Sequence, residues 1–355
     1  MEYRTYHEQN DMENIRKLRE VLKTLPSFAK DYFRAMEPTT STKTRISYAY
    51  DIRLFFRFLI DENPCYKAYE IRDFTLMDLE RLEAVDIEEY QEYLKLYQKE
   101  EDFGTVDVTN GERGLKRKMS ALRSFYSYFY RREQISKNPT VFVDMPKLHE
   151  KAIIRLDADE TARLLDFIEH GGDGLTGQKK VYYEKTKDRD LAIVTLLLGT
   201  GLRVSECVGL DITDVDFNNN GLKVTRKGGS EMIVYFGEEV EQALKHYIQG
   251  SRKSIVPQEG HERALFYSTQ RRRIGVGAVE NLVKKYAKEV TPLKKITPHK
   301  LRSTYGTTLY QETGDIYLVA DVLGHKDVNT TRKHYAAQDE NRRRIAAKAV
   351  RLRED

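Results

Sequence analysis

From Thr42 to Arg132 the apolar residues recur at helical spacing, and no stretch before residue 145 alternates apolar and polar residues convincingly. Ile52, Phe55, Phe56 and Leu59 follow the i, i+3, i+4, i+7 rule, and Leu115, Met119, Leu122, Phe125 and Phe129 form a second such stripe. Stripes of this kind commit a segment to helices that must bury their apolar faces on one another. The spacing predicts helices over 11–36, 42–60, 86–97 and 111–132, with another opening at Thr75, where Asp78 completes a capping box. The first 145 residues are therefore expected to form an all-helical bundle.

The pattern breaks at Pro139–Ile154, which holds two prolines and no amphipathic period and reads as an extended linker. A helix reopens at Asp157 with Glu160 three positions on. Asp190 is expected to cap an apolar helix over 191–198 that Gly199 and Gly201 end. Leu222–Phe236 holds two β-branched runs around Gly228 and Gly229 and predicts a β-hairpin. Beyond Val240 the pattern is helical again. The expected fold class is mainly α: a helical domain over 1–145, a linker over 146–154, and a mixed, mostly α domain over 155–340 with a small antiparallel sheet. A terminal helix is expected over 341–355.

Composition excludes several function classes. One residue in three is charged and 40% are hydrophobic, which rules out a disordered chain. The longest apolar stretch, Leu191–Gly201, is about half the roughly 20 residues that span a bilayer, and Met1–Asp11 has no apolar core for an export signal. Cys65 and Cys207 lie outside any C-x-x-C pattern and read as small core residues of a reducing cytoplasm. No paired His/Cys/Asp spacing for a metal and no Walker or dinucleotide motif occurs, so neither a metal nor a nucleotide cofactor is expected.

The net charge of +4 is too small to imply a partner, but its distribution is uneven. Glu70–Asp102 carries 12 acidic and four basic residues, whereas Arg113–Arg132 carries seven basic residues and no acidic one. Arg113, Lys116, Arg117, Lys118 and Arg123 are candidate contacts to a DNA duplex, divided between phosphates and base edges. The same run also suits a solvated helix face, and taken alone it does not choose.

Four segments of the second half carry the functional signal: Thr200-Gly-Leu-Arg-Val-Ser-Glu, the hairpin turn at Lys227, Thr297-Pro-His-Lys-Leu-Arg-Ser-Thr, and Leu323-Gly-His-Lys-Asp-Val-Asn-Thr-Thr-Arg-Lys-His-Tyr. Their order and spacing resemble the tyrosine recombinase family, the phage-integrase and Xer-type enzymes. The family's catalytic positions fall on Arg203, Lys227, His299, Arg302, His325 and Tyr335. Many members carry His after the second arginine, where this chain has Ser303.

The resemblance implies a site-specific recombinase that cleaves DNA through a 3′-phosphotyrosine and needs no metal or ATP. Two arginine forks would clamp the non-bridging phosphate oxygens as charge develops. Tyr335, with an ordinary pKa of about 10, would need His299 as its proton acceptor. Lys227 would protonate the leaving 5′ oxygen, and His325 would donate a hydrogen bond to the phosphate. Also implied are a helical core-binding domain, a double-stranded recombination site as partner, and a homotetramer on two sites that is monomeric or dimeric when free. The terminal helix, with Ile345, Ala349 and Leu352 on one face, would dock on its own domain or on a neighbouring protomer. The nearest Xer task is chromosome or plasmid dimer resolution, with mobile-element integration beside it. A type IB topoisomerase or a non-catalytic DNA-binding regulator are the alternatives.

Overall fold

The computed structural model describes residues 5–101, 104–149, 153–226, 229–325 and 327–332. It divides into two compact units, Met1–Lys151 and Ala152–Asp355.

The first unit comprises α1 (Tyr6–Lys23), α2 (Ala29–Ala35), α3 (Thr42–Glu62), α4 (Leu76–Arg81), α5 (Ala84–Tyr93), the strands β1 (Leu96–Glu101) and β2 (Gly104–Thr109), and α6 (Glu112–Arg131). Its core is aromatic, with Tyr32, Phe55, Phe56, Tyr90, Phe125 and Phe129 almost fully buried. The buried phenols are satisfied: Tyr32 Oη donates to Ser124 Oγ at 2.9 Å and Tyr126 Oη to the Leu79 carbonyl at 3.3 Å. Thr75 and Asp78 form the capping box that opens α4. The single helix expected over 11–36 is two helices, because Pro26 interrupts it.

The unit is helical as expected apart from one feature, an antiparallel hairpin pairing Leu96 with Thr109 through Glu101 with Gly104. It displaces the C-terminal turn of the helix expected over 86–97. Cys65 is exposed rather than buried: it sits on a 3-10 turn, Pro64–Tyr66, that turns Tyr66 into the core and leaves Cys65 toward solvent.

The second unit comprises α7 (Ala158–His170), α8 (Gly177–Thr200), α9 (Val204–Gly209), β3 (Val215–Asp216), β4 (Gly221–Thr225), β5 (Glu231–Tyr235), α10 (Glu238–Tyr247), α11 (Val276–Val290), α12 (Pro298–Thr313), α13 (Ile316–Leu323) and α14 (Val328–Thr331). Asp157 and Glu160 cap α7 reciprocally, as the spacing predicts. The central helix α8 packs against α7, α10 and α12 and buries Ala192–Leu197. It starts 13 residues before Asp190, which therefore lies inside the helix instead of capping it. A carboxylate is tolerated there because Arg189 bonds one oxygen and the Tyr286 hydroxyl donates to the other at 3.0 Å. The expected hairpin is β4–β5, and β3 extends it to an antiparallel sheet of order β3-β4-β5. Among the described residues no helix is long and apolar enough to cross a membrane.

Candidate active site

Two left-handed glycines build the frame. Gly201 ends α8 with φ 62°, and a Cβ there would lie 2.5 Å from Tyr305 Cδ1 and 2.8 Å from Leu323 Cδ2. Gly324 ends α13 with φ 61°, and a Cβ there would lie 3.1 Å from Arg226 Cζ. Only glycine takes this backbone conformation without a steric cost. The first reversal makes Arg203 the N-cap of α9, and the second delivers His325.

Arg203 is held by Glu206, one turn on. The Glu206 carboxylate accepts from the Arg203 backbone N–H and from Nη1, both at 2.8 Å. Glu206 is buried, while the Arg203 side chain stays 34% exposed, so the guanidinium is oriented from below and open above. Arg203 Nη2 also lies 3.4 Å from the Gly324 carbonyl.

Arg302 occupies the second turn of α12 and is only 3% exposed. Its two terminal nitrogens donate to the carbonyls of Gly201 and Leu323. His299 lies three residues earlier on the same helix face and is exposed. Ser303, where the family pattern often has histidine, is buried and donates Oγ to the His299 carbonyl at 3.0 Å. That bond stays within the helix and leaves Arg302 in place.

His325 follows Gly324 directly. Its backbone N–H donates to the Ala320 carbonyl at 2.9 Å, and Nδ1 lies 2.8 Å from Thr331 Oγ1, which orients the ring. Lys227 and Tyr335 fall outside the described residues, as does the segment 341–355. The residues flanking Lys227 close the β4–β5 turn, Arg226 N–H donating to the Ser230 carbonyl at 2.7 Å.

Arg226 was not singled out from the sequence, yet it belongs to this cluster. It is 7% exposed, and Nη1 bonds Glu206 at 3.3 Å and the Leu323 carbonyl at 3.1 Å. Nη2 bonds the Val322 carbonyl at 2.9 Å. A signal existed in the strand alternation: Leu222, Val224 and Arg226 take inward positions while Lys223 points out, so a cation falls where an apolar side chain is expected. Three guanidinium groups thus meet at the carbonyl end of α13, where the helix dipole favours cations, with one carboxylate among them. Such a cluster is suited to an anion bearing more than one charged oxygen.

The α6 candidates separate. Arg113 is exposed and Lys116 partly so. Arg117 is paired with Asp51, Lys118 is buried with Nζ 2.8 Å from Asn110 Oδ1, and Arg123 Nη2 donates to the carbonyls of Thr140 and Val143 at 2.9 and 2.7 Å. Lys118 and Arg123 therefore hold the unit together.

Residues 154–342 match the phage integrase family. The tyrosine recombinase XerC of Caldanaerobacter subterraneus subsp. tengcongensis is 34% identical over 329 residues, covering 90% of this chain and 84% of the relative. The tyrosine recombinase XerS of Streptococcus equi subsp. zooepidemicus is 31% identical over 342 residues, covering 89% and 93%. Two solved structures share the fold. One is the Tn1549 transposon integrase in complex with circular-intermediate DNA, with TM-score 0.64, 22% identity and 90% and 98% of the two chains covered. The other is XerH bound to a palindromic difH substrate after cleavage, with TM-score 0.65, 18% identity and 98% and 90% covered.

Proposed function

The chain belongs to the phage integrase family of tyrosine recombinases and is a site-specific DNA recombinase of Xer type, and from that membership we propose how its site works and what it acts on. Arg203 and Arg302 hold the non-bridging oxygens of the scissile phosphate. Tyr335 Oη attacks phosphorus as His299 takes the phenolic proton, and the 5′ oxygen leaves with a proton from Lys227. His325 donates a hydrogen bond to the phosphate. The products are a 3′-phosphotyrosine and a free 5′ hydroxyl, which attacks the phosphotyrosine of the partner strand. One phosphodiester is exchanged for another of similar energy, so the step needs neither ATP nor a divalent ion. The observation that carries this scheme is the anchoring of Arg203 and Arg302 on one turn, Leu323–Gly324, next to His325. Burial pushes the phenols of Tyr66, Tyr93 and Tyr247 up to about 12, which disfavours them as nucleophiles at neutral pH.

The helical first unit serves as the core-binding domain, with Arg113 and Lys116 on phosphates. Two recombination sites are brought together by a homotetramer assembled from free monomers or dimers in the cytoplasm. The segment 341–355 docks its Ile345, Ala349 and Leu352 face on a neighbouring protomer. The task that goes with this reading is chromosome or plasmid dimer resolution, with mobile-element integration beside it.

A nicked duplex that traps the covalent intermediate tests the chemistry. Wild type should give a denaturation-resistant adduct that Tyr335→Phe abolishes; no adduct on any site would return the chain to the DNA-binding regulators. Relaxation of supercoils without pairing of two sites in a gel would favour the topoisomerase alternative.

A further inference from the structure

Arg226 has no part in the scheme above, and its surroundings are unusual for a residue at the end of a surface hairpin. It is a buried cation touching three elements: α9 through Glu206, the end of α13 through the carbonyls of Val322 and Leu323, and β5 through Met232, whose sulfur lies 2.8 Å from Nε. Burial lowers its guanidinium below the ordinary value while Glu206 opposes that shift, and an arginine so placed stays charged at neutral pH. The Glu206 carboxylate lies between the two arginines, taking Arg203 at 2.8 Å and Arg226 at 3.3 Å. Without Arg226 the carboxylate would be held by Arg203 alone, through its backbone N–H and Nη1, and would lose the donor that ties it to the end of β4. The carbonyls of Val322 and Leu323 would also lose a donor, leaving the turn that carries His325 less constrained.

We infer that Arg226 is a positioning residue for phosphate activation: it fixes Glu206 and the 322–324 turn so that Arg203 and His325 meet the scissile phosphate in register. The inference rests on the role proposed for Arg203. Its distinguishing consequence is chemical. A misplaced Arg203 matters because the phosphate carries charge, whereas a misfolded domain fails on any substrate.

The experiment measures cleavage and duplex binding by the full-length protein on three nicked substrates: an ordinary phosphate, a methylphosphonate at the scissile position, and a 5′-bridging phosphorothiolate. The methylphosphonate has lost one anionic oxygen and needs less cationic help. The phosphorothiolate leaves as a thiolate without a general acid. Arg226→Met should lower phosphate cleavage about 10²-fold while binding changes less than about 3-fold. On the methylphosphonate its deficit, and that of Arg203→Ala, should shrink to less than about 10-fold.

Because Arg226→Met takes one of two cationic partners from a buried carboxylate, the double variant Arg226→Met/Glu206→Gln removes both charges and serves if the single variant does not fold. Its loss of cleavage should be smaller than the product of the two single-variant losses, as expected of residues that act partly through one another. Equal deficits on phosphate and methylphosphonate would overturn the inference. Recovery confined to the phosphorothiolate would also do so, by assigning the effect to Lys227. Absence of any adduct from wild type, or full activity of Arg203→Ala, would instead overturn the proposed site itself.

Discussion

Asp51 shows how far one side chain can be displaced from its solution behaviour. It is buried on α3 and bonded to Arg117, yet burial outweighs the ion pair and pushes its carboxyl up to about 6. The unfolded chain releases this proton near 3.8 and the folded chain only near 6. The folded state therefore binds protons preferentially between those values, and stability falls as pH rises from about 4 to 6, then levels off. Urea unfolding should show wild type losing up to about 3 kcal/mol across that window, and Asp51→Asn losing none of it. Parallel pH profiles would mean that Arg117 keeps Asp51 ionised. Glycines give a second residue-scale contrast. Gly324→Ala puts a Cβ at positive φ against Arg226 and should cost about 1–2 kcal/mol and at least about tenfold in cleavage. Gly277→Ala, in α11 with nothing within 4 Å, should stabilise by about 0.5–1 kcal/mol. Gly201 and Gly324 were legible as motif members; that each also makes room for a side chain from elsewhere in the chain was not.

At the scale of elements, α6 carries two functions that its sequence does not separate. Its apolar stripe is buried as the spacing predicts, with Tyr126 and Lys118 added. Which cations remain for a duplex depends on what each side chain meets: Asn110 for Lys118, the 140–143 carbonyls for Arg123, and solvent for Arg113. Arg113→Ala and Lys116→Ala should each lower the slope of log K against log salt by about one. Lys118→Ala and Arg123→Ala should leave the slope alone and cost about 1–2 kcal/mol in unfolding, because the first removes a buried stem bonded to Asn110 and the second strands the buried carbonyls of Thr140 and Val143. Loss of slope in the second pair would put all four on DNA. The β1–β2 hairpin was not legible because β2 buries neither face, so the alternation that marks a half-buried strand is missing. Its pairing comes from backbone hydrogen bonds between two polar segments. The β4–β5 hairpin was legible because one face is buried, and Arg226 was overlooked because it occupies that face as a cation.

For the whole molecule, the two units each have their own buried residues, and Lys147 is exposed near the end of the first unit, which closes at Lys151. Limited trypsin digestion should cut after Lys147 before any site within a helix, leaving two fragments that keep their circular dichroism; early cuts within α3 or α8 would contradict two separate cores. The sequence by itself determined the helical class, the capping boxes at Thr75 and Asp157, the β4–β5 hairpin and the family, because each rests on near neighbours or on short motifs in order. Only the tertiary structure decided which charges are spoken for. Arg302 and Arg226 reach carbonyls 21 and 96 positions away, Asp190 finds Tyr286 across 96, and Arg117 finds Asp51 across 66. Burying a polar group costs free energy unless a partner is supplied, and those partners come from distant parts of the chain that only folding brings into hydrogen-bond range.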